Sequence, residues 1–124
     1  MDAMLINDGE KIAGGITRLL AEHKAVDPVT LDLRRFNLWT DFFVVAGVTS
    51  AAHLEGLKRH IEEWADENHI AFRRGSRRSV GRGPSGGAPG EPSPLWDIVD
   101  MGNVVVHLMS KEAREFYELE KLWL

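Results

Sequence analysis

Apolar residues fall along this chain in two periods, and the switch between them marks out the elements. Ile12, Ile16, Leu19, Leu20 and His23 recur at helical spacing, which predicts an amphipathic helix over residues 9–23. Asn7 with Glu10 three residues on resembles an N-terminal capping box, and Asp27-Pro28 ends the helix because the residue before proline is pushed toward extended backbone. Leu31 to Phe36 alternates in part and reads as a first strand. Phe42-Phe43-Val44-Val45-Ala46 is a continuous apolar run, the pattern of a central strand covered on both faces. Thr49-Ser50 can cap a second helix, with Leu54, Leu57, Ile61 and Trp64 inward and Glu55, Lys58, Arg59, Glu62 and Glu63 outward. A third strand is expected to begin at Ile70-Ala71-Phe72.

Trp96 to Met101 and Val104 to Met109 are strand-like runs joined by Gly102-Asn103, a pair suited to a tight hairpin turn. Ser110 can cap a last helix carrying Ala113, Phe116, Tyr117, Leu119, Glu120 and Trp123 and running to residue 124, with its aromatic residues in the core. The expected order is α-β-β-α-β-β-β-α. Such an order packs as a single α/β domain over residues 1–124, a mixed sheet flanked by helices. Residues 75–94 stand apart: six glycines, four of the chain's five prolines and four serines predict a flexible loop rather than a packed element.

Composition narrows the function. Hydrophobic residues at 44% and charged residues at 27% are those of a globular chain and rule out wholesale disorder. There is no cysteine, so neither a disulfide, a thiolate metal site nor a cysteine nucleophile is available. The start of the sequence has neither a secretory nor a transit pattern, and no run suits a membrane span, so a bacterial cytoplasm is the expected location. The formal net charge of −4 conceals an asymmetry, because residues 73–82 hold five arginines, Arg73, Arg74, Arg77, Arg78 and Arg82, and no acid. Ten basic residues then face nineteen acidic ones elsewhere. An acidic body of this kind is repelled by bare nucleic acid and attracted to a protein with a basic patch, while the arginine segment could touch RNA phosphates as an auxiliary contact.

Catalytic constellations are weak. Asp97 and Asp100 are three apart in one strand and so on opposite faces, whereas paired metal-binding carboxylates must converge. Of the five histidines, only His53 and His60 share a helical face, two turns or about 10.5 Å apart, too far to share one metal ion. Gly47 to Ser50 lacks the frame of a nucleophile elbow, and the glycine-rich loop lacks the ending of a phosphate-binding loop. No metal, cofactor or catalytic residue is expected. Trp96, which opens a strand after the loop, can be either a binding anchor or a core residue.

Three blocks carry a resemblance. Asp41-Phe42-Phe43 through Thr49-Ser50 and His53 resembles the Asp-aromatic-Phe, Thr-Ser, His signature of the Iojap or ribosomal silencing factor family. Trp96 to His107 resembles that family's Trp, Asp, Gly, Val-Val-His block, and Arg114 to Trp123 its closing helix. The similarity spans residues 9–123 in the family's order. It departs in residues 75–94, longer and richer in Gly and Pro, and at Met101, where an aromatic is frequent.

The resemblance implies a nucleotidyltransferase-like fold without the catalytic carboxylates. It also implies a non-enzymatic repressor of translation that binds the large ribosomal subunit through ribosomal protein L-fourteen and sterically blocks the small subunit. The rival readings are a nucleotidyltransferase-like enzyme and a direct RNA-binding module. The family's members are commonly dimers, a point the sequence leaves open. On this reading Trp96 and Met101 are expected as apolar contacts on the hairpin, with Asp100, Asn103, His107 and Asp41 as polar partners. Trp96→Ala is expected to spare folding and weaken binding.

Overall fold

The computed structural model describes residues 8–76, 95–118 and 121. In chain order the elements are helix α1 (Gly9–Glu22), strand β1 (Val26–Asp32), a 3-10 turn (Arg34–Phe36), strand β2 (Phe42–Val48), helix α2 (Ala51–Glu67), strands β3 (Arg73–Ser76), β4 (Trp96–Asp100) and β5 (Val104–Ser110), and helix α3 (Lys111–Tyr117). The five strands form one sheet in the order β1-β2-β5-β4-β3. All neighbours are antiparallel except β2 and β5, which run parallel, so the sheet is mixed. Among the described residues no helix is long and apolar enough to cross a membrane.

The two faces are covered unequally. Ile12, Ile16 and Leu20 of α1 and Leu54, Leu57 and Ile61 of α2 pack on Phe42, Val44, Val99, Val104, Val106 and Leu108. On the reverse face Leu31, Leu33, Phe43, Val45, Trp96, Val105 and Met109 meet Ala113 of the short α3, with Phe36 and Ile98 partly buried at the margin. Every residue of β2 and β5 is buried, because each alternates between two covered faces.

Local chemistry fixes the ends. Asp8 caps α1, its carboxylate accepting from Glu10 N at 2.9 Å, where the sequence suggested Asn7, which lies outside the described residues. Ser50 caps α2 by accepting from His53 N at 3.0 Å, and Ser110 caps α3 by accepting from Ala113 N at 3.1 Å. Gly102, at φ +86, supplies the left-handed turn between β4 and β5, closed by Met101 N donating to Val104 O at 2.8 Å.

Three boundaries depart from the sequence reading. The first strand occupies Val26–Asp32 rather than residues 31–36, through a register irregularity between Val26 and Val29 that admits Pro28 to the sheet edge. Residues 34–36 coil into the 3-10 turn. The third strand begins at Arg73 rather than Ile70, because Ile70 N still bonds back to Ala65 O at 2.8 Å and its side chain fills the helix-side core. The last helix stops at Tyr117, where Glu118 takes a left-handed conformation; Leu119, Glu120 and Trp123 lie outside the described residues.

A guanidinium fork holds α3 to the far edge of the sheet. Arg114 donates to Val26 O at 2.8 Å and to Asp27 O at 2.7 Å. Gly47 makes the crossing possible, since a Cβ there would stand 3.0 Å from Val26 Cβ and 3.4 Å from Arg114 Nη1.

Candidate functional site

Strand parity and pairing place the expected contact residues in two groups. At one end of the sheet, where Phe42 pairs with Val104, Asn103 O accepts from both Asp41 N and Phe42 N at 3.1 Å. Asp41 O in turn accepts from Leu33 N at 2.7 Å, closing the loop of residues 33–41. Asp100 Oδ1 accepts from Gly102 N at 2.8 Å. Asp41, Asp100 and Asn103 therefore sit on one rim, half-buried, brought together by the parallel pairing of β2 with β5.

Trp96 and His107 form the second group, in the interior of the α3 face. Trp96 Nε1 donates to His107 Nδ1 at 3.0 Å. The imidazole meets the Phe43 ring edge-on at 4.5 Å between centroids, and the indole lies 4.6 Å from the Tyr117 ring, which packs edge-on against Phe116 at 4.9 Å. Trp96 is 8% exposed, so it is a core residue whose outer surface is taken by Tyr117. The expectation that its truncation spares folding is corrected accordingly.

Met101 is also corrected as a surface contact. At 7% exposure it belongs to the core beneath α1 and α2, because five residues separate it from Trp96 and odd separations in this strand point to opposite faces. Phe116 and Tyr117, expected inside, stand 62% and 38% exposed. Trp64 is partly buried against the helix-side core.

Trp39 is the residue the sequence reading passed over. It is 69% exposed, with Leu38 exposed beside it, in the loop that ends at Asp41. The preceding Asn37 turns the chain at φ 58, a left-handed conformation Asn tolerates, and the turn pushes both side chains outward. An Asn-Leu-Trp-Thr-Asp stretch between a turn and an apolar strand was the available signal.

The carboxylates do not converge. Asp97 is fully buried under α2 with Lys58 Nζ 2.9 Å from its Oδ2, while Asp100 lies on the other face near Arg73, 3.7 Å away. Asp32 receives Arg34 through Nε at 3.0 Å and Nη2 at 2.7 Å, and this hydrogen-bonded fork lowers its pKa to about 2. The Asp32–Arg34 pair is thus intact at neutral pH and breaks as the pH falls toward about 2.

Three of the histidines meet at a junction that the helical spacing did not show. His60 stacks on His23 at 3.7 Å, and His53 accepts from Thr49 N at 3.0 Å while its Nε2 meets His23 O at 3.3 Å, a junction between α1 and α2. Among the described residues no group of three or more His, Asp or Glu is placed to hold a metal ion. Of the five arginines, Arg73 is exposed and Arg74 continues β3, whereas Arg77, Arg78 and Arg82 lie outside the described residues.

Comparison with known proteins gives this geometry a family. Residues 7–124 match the family model described as ribosomal silencing factor during starvation. The ribosomal silencing factor RsfS of Treponema pallidum is 33% identical over 111 residues, 90% of this chain and 88% of that protein, and that of Bacillus subtilis is 31% identical over 102 residues, 82% and 75%. A mouse protein named mitochondrial assembly of ribosomal large subunit protein 1 is 32% identical over 108 residues, 87% of this chain and 43% of its own length. A crystal structure of a protein from Chromobacterium violaceum shares the fold, with a TM-score of 0.73 at 24% identity over 94% of this chain and 86% of the other. With its Trp-led hairpin, its central Phe-Phe-Val-Val-Ala strand and a family match over nearly every residue, the chain belongs to the ribosomal silencing factor family.

Proposed function

We propose that this protein docks on the large ribosomal subunit in the bacterial cytoplasm, through ribosomal protein L-fourteen, and represses translation by occupying space the small subunit needs. The names of its relatives support the ribosome as the target, and one of them names the large subunit. The observation that carries the reading on this chain is the exposed Trp39, with Leu38, beside the polar rim of Asp41, Asp100 and Asn103. An exposed aromatic framed by polar groups is the usual anchor of a protein interface. The acidic balance outside residues 73–82 favours a basic partner surface.

The mechanism is steric, with no bond made or broken. Asp32 and Asp97 are each engaged by a cation of their own chain, and Asp97 and Asp100 face opposite ways, an arrangement poorly suited to two-metal nucleotidyl transfer.

Sedimentation of purified subunits tests the proposal. The protein should migrate with large subunits and reduce the fraction of joined ribosomes; absence from the large-subunit peak would end the proposal. Trp39→Ala should weaken association by about 2 kcal/mol, roughly thirtyfold, and leave folding stability within about 0.5 kcal/mol of the parent.

The arginines of residues 73–82 supply an auxiliary contact to ribosomal RNA in this reading. Neutralising all five should weaken binding and flatten its salt dependence, the logarithmic slope falling by nearly one for each phosphate no longer neutralised. A slope identical to the parent's would assign those arginines no phosphate contact.

A further inference from the structure

We infer that Trp39 and Asp41 form a single seat for a basic side chain, so that a lysine or arginine of a large-subunit protein, rather than RNA, lies against the rim. Asp41 is the decisive residue. Of the other buried or half-buried carboxylates among the described residues, Asp97 has Lys58 Nζ at 2.9 Å, Asp100 accepts from Gly102 N at 2.8 Å, and Glu62 has an interaction within the chain. Asp41 is half-buried too, yet its carboxylate makes no hydrogen bond or ion pair among the described residues. The arginines of its own loop are committed elsewhere. Arg34 forks onto Asp32 and lies over the Phe42 ring at 5.0 Å, held first by Asp32 and only weakly drawn to Asp41, and Arg35 lies over Phe36 at 4.8 Å. A carboxylate that has given up part of its water without gaining a partner is best satisfied by a cation from outside the chain.

The aromatic half of the seat stands beside it. Trp39 and Asp41 flank Thr40, which is buried while both its neighbours open outward. Two residues of chain span at most about 7 Å, so a cation within about 4 Å of the carboxylate can also lie within about 6 Å of the indole face, where ion pairing and cation–π attraction add. Thr40 Oγ1 is itself buried with no hydrogen-bond partner among the described residues, a second polar group that the free chain leaves unmet in this segment. The backbone beneath is fixed, since Asp41 N donates to Asn103 O at 3.1 Å and Asp41 O accepts from Leu33 N at 2.7 Å. The seat is therefore formed before the partner arrives, and little ordering is left for docking to impose. Its charge selects the occupant: phosphate set against Asp41 is repelled, whereas a lysine or arginine gains both contacts at once.

The seat rests on the docking reading, and sedimentation of the full chain with purified large subunits separates the two failures. Asp41→Asn, which keeps the shape and removes the charge, should weaken association about tenfold, and Asp41→Lys should weaken it further. The deficit of Asp41→Asn should shrink as salt is raised, because screening weakens the pair in the parent chain. Combined with Trp39→Ala, Asp41→Asn should cost well under the roughly three-hundredfold that independent losses would multiply to, since both side chains hold one cation. Asp41→Asn should also unfold at the parent's denaturant midpoint, because its carboxylate holds nothing within the chain. A lowered midpoint, undiminished binding by Asp41→Asn, or single losses that multiply in the double variant would overturn the seat and leave docking standing. Tighter binding by Asp41→Asn would put phosphate at the rim and overturn it as well. A parent chain that ignores large subunits would overturn the docking reading, and the seat with it.

Discussion

Trp96→Ala should destabilise the fold by about 3–5 kcal/mol, the usual range for emptying a buried tryptophan site. The indole is 8% exposed, closed by Tyr117 on one side and bonded to His107 on the other, and neither neighbour has the reach to fill the space. Denaturant unfolding should show a lower midpoint with an unchanged slope. Binding to large subunits should weaken only as far as the unfolded fraction grows, because the buried indole is not part of the Trp39 rim. The contrast with Trp39→Ala separates the two tryptophans: one variant should lose stability, the other binding. A Trp96→Ala chain as stable as its parent would show that α3 does not depend on the indole.

Lys58→Ala should cost a comparable amount, about 3–5 kcal/mol, by taking the neighbouring ammonium from a buried carboxylate. Asp97 has no exposed surface and its Oδ2 lies 2.9 Å from Lys58 Nζ, while Glu55, 3.8 Å from the same ammonium, is half exposed and keeps its water. Removing the lysine takes its charge-assisted bond from a carboxylate held out of water between α2 and the sheet. Replacing both partners, Lys58→Met with Asp97→Leu, should recover most of the loss, because an apolar pair of similar volume carries no desolvation penalty. Thermal or denaturant unfolding of the single and double variants checks this. A single variant that loses under about 1 kcal/mol would mean that other groups or water hold the charge of Asp97 when Lys58 is gone.

Part of the fold was legible in the residues, and what was not follows a pattern. The Gly102 turn was readable because a positive φ next to two apolar runs is a local property of the chain. So was the opposition of Asp97 and Asp100, which follows from strand parity alone. The same parity separates Trp96 from Met101, yet it could not say which face would lie under α1 and α2 and which under the shorter α3. The end of α3 was misplaced because Phe116 and Tyr117 continue a helical pattern that Glu118 breaks by its backbone conformation. Trp39 was missed because exposure of a large aromatic depends on what fails to pack over it.

By itself the sequence determined the order and kind of the elements, the caps at Ser50 and Ser110, and the central, doubly covered place of the Phe42 strand, since these are set by residues within a turn or a strand of one another. Its three family blocks also carried the kinship that the match over residues 7–124 establishes. The tertiary structure decided which side chains meet. Asp41 reaches Asn103 across more than fifty residues because β2 and β5 pair in parallel, Lys58 finds Asp97 because α2 crosses β4, and Trp96 is closed over by Tyr117 because Arg114 ties α3 to the start of β1. Local pattern fixes what each segment is; exposure and pairing belong to contacts between distant segments, and those exist only once the sheet has assembled.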